Sequence, residues 1–329
     1  MADPSLLQSA HDFMQQRHRT PSEIRVFHNL LTKVPPPLLP SILAQMLTEK
    51  AVIDWDAWKP LPQQMQRKME ELAVVRLNGG LGTTMGCSGP KSLIEEFCRL
   101  HSVSIPLLLM NSFNTDEATR ERVGERATPF VQSQCPRLDA ETLLPVDEGG
   151  DSWYPPGHGN IVVAMHEAGL IQSLLAQGRD IVFVSNIDNT GAEISVEIAK
   201  LMADESLEYL MECTEKTAVD LKMPQVPREH IDDFCSTRVF SIFNTNNIWL
   251  NLKAVADRPY EITSEIIVNR KTTASGRQIL QLETSIGGAI RNFTRAFCVH
   301  VPRSRFIPVK GTPDLLAVSS SLYSLLSII

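Results

Sequence analysis

The chain has 329 residues, 43% of them apolar, which is enough to bury a large core and excludes disorder as its default state. A formal net charge of −7 argues against a nucleic-acid partner, although a single phosphate pocket needs only a few local cations and backbone amides. The six cysteines are scattered with no CxxC pair, which fits free thiols in a reducing compartment better than a disulfide frame or a zinc site.

The opening Met1-Ala2-Asp3-Pro4-Ser5 has no basic start followed by an apolar run, so no signal peptide is expected. No apolar stretch is long enough to cross a bilayer, so no membrane partner is expected and the cytoplasm is the expected address. Leu6, Leu7, Ala10 and Phe13 share one helical face, and Ile24, Phe27, Leu30 and Leu31 share another. Pro35-Pro36-Pro37 ends this pattern. The stretch 52–65, with Trp55, Trp58, Pro60 and Pro62, reads as an irregular crossing segment. Residues 1–65 are therefore expected to form an N-terminal helical segment, and 66–329 an α/β domain.

Short apolar runs then alternate with helical stretches, at 73–77, 106–110, 181–185 and 207–211. Such runs predict buried strands of a mixed, mostly parallel sheet flanked by helices. One unit is especially legible. Ile161 to Gln177 has helical spacing, with Ala164, Ala168, Ile171 and Leu175 on one side and Gly178 as its C-cap. The strand Ile181–Ser185 follows at once and delivers Asp188 to a strand's carboxyl edge, where open α/β sheets place their ligands.

The strand at 73–77 runs into Asn78-Gly79-Gly80-Leu81-Gly82-Thr83-Thr84-Met85-Gly86-Cys87-Ser88-Gly89-Pro90-Lys91-Ser92. Glycines let backbone approach a ligand closely, and successive free amides can cradle phosphate oxygens. The competing reading is a glycine-rich turn without a ligand. Two common motifs fail on spacing. Pro90 separates Gly89 from Lys91, so the loop is not a Walker loop. Gly86 comes one residue too late after Gly80-x-Gly82 for a dinucleotide fingerprint, which rejects a nicotinamide oxidoreductase.

Residues 77–92 closely resemble the signature of eukaryotic UTP–glucose-1-phosphate uridylyltransferases. Met110-Asn-Ser-Phe-Asn-Thr-Asp116, Trp153-Tyr-Pro-Pro-Gly-His-Gly159, Phe183-Val-Ser-Asn-Ile-Asp-Asn189, Phe243-Asn-Thr-Asn-Asn-Ile-Trp249, Gln281-Leu-Glu-Thr284 and Val301–Lys310 follow in that family's order. The related UDP-N-acetylhexosamine enzymes typically open with Gly-Gly-Gln-Gly, so Leu81 points to the glucose branch. The resemblance implies a Rossmann-like nucleotidyltransferase fold over 66–329. It implies transfer of a uridylyl group from UTP to glucose 1-phosphate.

The resemblance also implies roles. Leu77, Asn78, Gly79 and Gly80 would offer backbone to UTP, with Gly79 and Gly80 also near the sugar phosphate. Lys91 would counter phosphate charge. Gln132 would read uracil, because an amide can pair with O4 and N3–H together; Gln134 is a rival if the register slips. Gly157 would contact the nucleotide and His158 the sugar phosphate. Asn186 and Asp188 would touch both substrates, with Ile187 on the sugar-phosphate side, and Asp188 would hold Mg²⁺ with Lys91 and Lys310 nearby. Asn246 would contact the sugar phosphate, with Asn244 or Asn247 as alternatives. Lys310 is the expected catalytic residue. It follows Arg303 and Arg305 in a basic loop and precedes Thr312-Pro313-Asp314, which reads as N-cap, N1 and N2 of a helix.

The chain departs from the family in places. The family usually has Asp where this chain has Asn160. Only fourteen residues separate Lys91 from Pro106, where the family carries a longer segment with a helix. A family hairpin after Lys222 gives way to Met223-Pro224-Gln225-Val226-Pro227. The family's C-terminal β-helix domain, often used in self-association, is expected to be missing, which would weaken a homo-oligomer. These differences imply an alternative: a catalytically weak or inactive nucleotide- or sugar-phosphate-binding relative, arisen as a splice form or divergent copy.

Overall fold

The computed structural model describes residues 4–33, 52–54, 69–79, 104–147, 149–216, 242–262, 264, 266–273, 275–311, 314 and 316. The expected features at Gly80, Lys91 and the rest of the glycine-rich loop, the segments 92–103 and 223–227, and Thr312-Pro313 lie outside these residues.

The strands in chain order are β1 (Val52–Asp54), β2 (Leu72–Asn78), β3 (Leu107–Asn111), β4 (Thr128–Val131), β5 (Cys135–Pro136), β6 (Leu138–Asp139), β7 (Trp153–Tyr154), β8 (Ile181–Asn186), β9 (Tyr209–Glu215), β10 (Ile242–Asn251), β11 (Ile266–Thr272), β12 (Gln278–Thr284) and β13 (Ala296–His300). The α-helices among the described residues are α1 (Pro4–Gln16), α2 (Pro21–Lys33), α3 (Asp116–Val123), α4 (Ile161–Glu167), α5 (Leu170–Ala176) and α6 (Val196–Asp204).

Eight strands form the main sheet in the order β1-β13-β9-β10-β8-β2-β3-β4. Every neighbouring pair is parallel except the two that β10 makes, with β8 and with β9. Strand β2 is buried along its whole length, which explains its unbroken apolar run. Because side chains alternate across a sheet, Ala73, Val75 and Leu77 enter one core while Leu72 and Val74 enter the other. The first core is closed by α4, α5 and the short helix Gly287–Asn292, the second by α6. The expected α/β architecture is the one observed.

Two local expectations are corrected. Val52–Asp54 is not irregular: it pairs in parallel with β13 as an edge strand. Three residues are too few for periodicity to register. The helix expected from Ile161 to Gln177 is two helices, parted at Ala168-Gly169, where Gly169 takes φ +69°. Both halves still bury one apolar face, so the break is invisible to spacing alone.

A smaller antiparallel sheet, β11-β12-β6, carries the N-terminal helices on one face. Thr20 caps α2 reciprocally: its hydroxyl accepts from the Glu23 amide at 3.2 Å, while the Glu23 carboxylate accepts from the Thr20 amide at 2.9 Å. Phe27, Leu30 and Leu31 then pack with Tyr154, Leu280 and Leu282. Strand β6 covers only the start of β12, so among the described residues Leu282 has no strand partner on that side. The buried Tyr154 hydroxyl replaces one, donating to the Leu282 carbonyl at 3.0 Å and accepting from its amide at 2.8 Å. No helix among the described residues is long and apolar enough to cross a membrane.

Tyr154→Phe keeps the ring but strands both backbone groups of Leu282. It should cost about 1–3 kcal/mol of unfolding free energy. Urea denaturation measures this, and an unchanged midpoint would refute the pairing.

Candidate active site

The parallel strands all end at one edge of the main sheet, and the polar residues gather there. Asn78, at the end of β2, donates from Nδ2 to Asn111 Oδ1 at 2.8 Å and to Thr119 Oγ1 at 2.9 Å. Its side chain thus knits β2 to β3 and α3, and what this stretch presents beyond the strand is the backbone at Gly79. Gln132 follows β4, its amide N–H bonded to the Asn111 carbonyl at 3.0 Å. A Cβ added at Gly79 would stand 2.2 Å from Gln132 Nε2, so glycine is what lets the two touch. Gln132 is 5% exposed, yet its Oε1 has no hydrogen-bond partner among the described residues. Gln134 is different. Its Oε1 accepts from Arg19 Nη1 at 2.7 Å, which ties it to the N-terminal helices. Of the two glutamines, Gln132 is the one at the strand edge.

The turn at Gly157-His158-Gly159 rests against the end of β12. Gly157 adopts φ +87°, and a Cβ there would lie 2.6 Å from the Thr284 carbonyl. His158 Nδ1 accepts the Ile286 amide at 3.1 Å, which leaves the ring proton on Nε2. Burial pushes the imidazole down to about 4, so it is neutral at physiological pH. The Asn160 side-chain Oδ1 accepts the Ser133 backbone amide at 2.8 Å. A carboxylate could make that same contact, so the departure at this position preserves an acceptor and joins the turn to the Gln132 segment.

Asn186 ends β8, and its Oδ1 accepts from Asn246 Nδ2 at 2.9 Å. Asn246 sits in a bulge of β10 between Asn244 and Ile248 and takes φ +60°, a conformation Asn tolerates better than most residues. Asn244 Oδ1 caps the bulge by accepting the Asn246 amide at 2.8 Å. Asn247 is fully buried and points to Glu212 and Asn189. The three asparagines therefore divide their work, and Asn246 is the one facing Asn186. Next along the chain, the Ile187 amide donates to the Leu77 carbonyl at 3.2 Å and stitches β8 to β2.

Asp188 and Lys310 meet at this edge as an ion pair between Oδ2 and Nζ. The Val309 amide also donates to the Asp188 carbonyl at 2.8 Å. Asp188 Oδ1 is buried with no hydrogen-bond partner among the described residues. An unpartnered carboxylate oxygen suits a hard divalent cation. Among the described residues no group of three or more His, Cys, Asp or Glu could hold a metal by itself. The Asp314 carboxylate accepts from the Lys310 and Gly311 amides at 2.9 and 3.0 Å. Asp314 thus fixes the backbone that carries Lys310, and those two amides are already used.

The expected basic loop needs correction. Arg305 points inward, is 8% exposed, and places its guanidinium on the fully buried Glu212. Arg303 Nη1 donates to the Glu215 carbonyl at 3.1 Å. The positive charge the loop offers at the edge is that of Lys310. Arg76 is likewise buried and donates to the Ala192 carbonyl at 2.7 Å. Burial, then the Arg305 charge, lowers it to about 10, with Glu212 pulling the other way, so it stays charged at neutral pH. Glu212, Asn189 and Arg76 escaped sequence reasoning.

His158 sets a pH dependence. Its folded pKa lies below the unfolded value, so the unfolded chain binds more protons between about 4 and about 6.5. The His158 contribution is complete above 6.5 and is lost as pH falls through that window. Wild-type protein should lose more stability than His158→Gln over this range by denaturant midpoint; parallel curves would refute the assignment.

A family profile described as UTP–glucose-1-phosphate uridylyltransferase matches residues 39–327. The UTP–glucose-1-phosphate uridylyltransferase of Saccharomyces cerevisiae is 42% identical over 347 residues, covering 87% of this chain and 70% of its own. That of Hordeum vulgare is 41% identical over 327 residues, covering 85% and 69%. A mutant UDP-glucose pyrophosphorylase from Leishmania major, solved in complex with UDP-Glc, superposes with a TM-score of 0.80 at 26% identity, over 96% of this chain and 79% of that one. The Trypanosoma brucei UDP-glucose phosphorylase gives 0.78 at 28% identity, over 95% and 78%. With its fold and nearly its whole length matched, this chain belongs to the UTP–glucose-1-phosphate uridylyltransferase family.

Proposed function

We infer that the chain transfers the uridylyl group of UTP to glucose 1-phosphate, giving UDP-glucose and pyrophosphate. One observation carries the reading: Asp188 and Lys310 meet at the carboxyl edge of β8, with Gly79 and Gln132 on one side and the Asn186–Asn246 pair on the other. That layout suits a nucleotide bound over β2 and β4 and a sugar phosphate bound over β8 and β10, their phosphates meeting between.

In this reading the Gln132 amide pairs with uracil, and the Leu77–Gly80 backbone and Gly157 enclose the nucleotide. His158 donates its Nε2 proton to the sugar phosphate, and Asn186, Ile187 and Asn246 line the acceptor side. An oxygen of glucose 1-phosphate attacks the α-phosphorus of UTP in line, and pyrophosphate leaves. The nucleophile is already an anion at neutral pH, so no general base is needed. What the protein must supply is alignment and relief of repulsion between two polyanions. Lys310 does this with its ammonium, assisted by Lys91. Asp188 would hold Mg²⁺, which when bound would supply positive charge to offset that of the phosphates. The buried cysteines Cys135, Cys213 and Cys298, which carry thiols, support a reducing compartment such as the cytoplasm.

Lys310→Ala should lower kcat by about a thousandfold, the order seen on removing one charge-stabilising group, while UTP still binds. A pyrophosphate-release assay tests this, and near-normal turnover would remove Lys310 from its role. The wild-type arm also separates an enzyme from a binding protein, since UTP binding without UDP-glucose would support the latter. Gln132→Ala should raise KM for UTP about tenfold, the equivalent of roughly 1.4 kcal/mol, with a smaller change in kcat. An unaltered KM would place uracil elsewhere.

A further inference from the structure

Two segments meet behind the Asp188–Lys310 pair: residues 188–193, leaving β8, and residues 302–310, returning from β13. They lie so close that a Cβ at Gly191 would stand 2.3 Å from the Ser304 carbonyl oxygen. Backbone bonds zip them together, with the Thr190 amide on the Ile307 carbonyl at 3.1 Å and a bridge between Asn189 and Pro308. Asn189 fills the seam. Its Nδ2 donates to the Arg305 carbonyl at 3.0 Å and to Asn247 Oδ1 at 3.1 Å. Its Oδ1 accepts the Ile307 amide at 2.8 Å and the Gly191 amide at 3.2 Å.

Beneath the seam lies Glu212, on β9, with no exposed surface. Its Oε1 accepts from Arg305 Nη2 at 2.6 Å and Trp249 Nε1 at 2.8 Å. Its Oε2 accepts from Arg305 Nε at 2.8 Å and Asn247 Nδ2 at 3.0 Å. Its backbone carbonyl takes the Thr245 hydroxyl at 2.9 Å, inside the β10 bulge. One side chain thus holds the loop that ends in Lys310 and also the bulge that presents Asn246. The Arg305 fork orients the loop, and the Asn247 and Thr245 bonds orient the bulge.

We propose that Glu212 is a positioning residue for the transfer reaction, setting the charge of Lys310 and the amide of Asn246 in one frame through Arg305 and Asn247. The proposal rests on the roles inferred above for Lys310 and Asn246. A planar guanidinium on a carboxylate fixes direction as well as distance, which a single-point contact does not. A uridylyl transfer that depends on alignment is sensitive to such a frame, because a displacement of about 1 Å can cost a hundredfold in rate. Gln132 and Gly79, the contacts inferred for UTP, are on the other half of the sheet, and among the described residues they share no hydrogen bond with this network.

The test compares Arg305→Lys and Glu212→Gln with wild type. Arg305→Lys keeps the charge and loses the fork; Glu212→Gln keeps the shape and opposes its amide donors to donors. Each should lower kcat about 30-fold and raise KM for glucose 1-phosphate, with the Kd and stoichiometry for UTP within twofold of wild type by calorimetry. Loss of UTP stoichiometry in step with kcat would mean a damaged fold, and wild-type kcat in folded Arg305→Lys would mean that the frame does not matter. Either result overturns the proposal, as does failure of both variants to fold. Lys310→Ala serves as the control. If it retains turnover, the role of Lys310 itself falls; if it is inactive while Arg305→Lys is normal, only the positioning role falls.

Discussion

The arrangement at the sheet edge depends on a carboxylate without any contact with water. Removing a charge from solvent costs several kcal/mol even after relaxation, and a buried pair recovers this only with good geometry and every lone pair occupied. Glu212 meets those conditions, with four donors on its two oxygens, two of them from one guanidinium. Such a pair is weak evidence for added stability, because well-packed apolar residues can do as well. Its value is directional. The neighbours Arg305, Asn247 and Trp249 come from a loop and a strand far apart in the chain, and each points a donor at Glu212.

The sheet separates the work of the site. Strands β2, β3 and β4 end in Asn78, Asn111 and the Gln132 segment, which bond to one another. At the same edge β8 ends, β9 carries Glu212 and the reversed β10 enters, around a second polar network of Asn189 and Glu212. The backbone bond from Ile187 to Leu77 joins the two halves at the strand pair they share. The Gly157-His158 turn approaches from the smaller sheet and is fastened to the Gln132 segment by Asn160. The substrates proposed for this edge would therefore each meet a locally braced set of groups.

The sequence was informative where the signal is local. Continuous apolar runs predicted β2, β3 and β8, because strands covered on both faces need no polar alternation. Asp188 and Lys310 were legible as charged residues just beyond strand or loop boundaries, and the structure brings them together. Local signals failed where the partner is distant. Glu212 reads as one acid in an apolar strand, and nothing nearby reveals that Arg305, 93 residues away, meets it. For the same reason Arg305 read only as part of a basic loop before Lys310. The choice among Asn244, Asn246 and Asn247 depended on a bulge, which sequence periodicity does not encode. The edge strand Val52–Asp54 exists only because β13 supplies its partner.

The reversed strand β10 has an evolutionary consequence. Its register against β8 is set after the bulge, by Ile248–Asn251 pairing with Val184–Ile181. Asn246 is thus held from both sides, by Ile248–Asn251 beyond the bulge and by Ile242–Asn244 against the end of β9 before it. Residues gained or lost between β9 and β10 need not move it. The amide beside Asn186 keeps its place because a ladder of strand bonds, and not the length of a connection, sets its height.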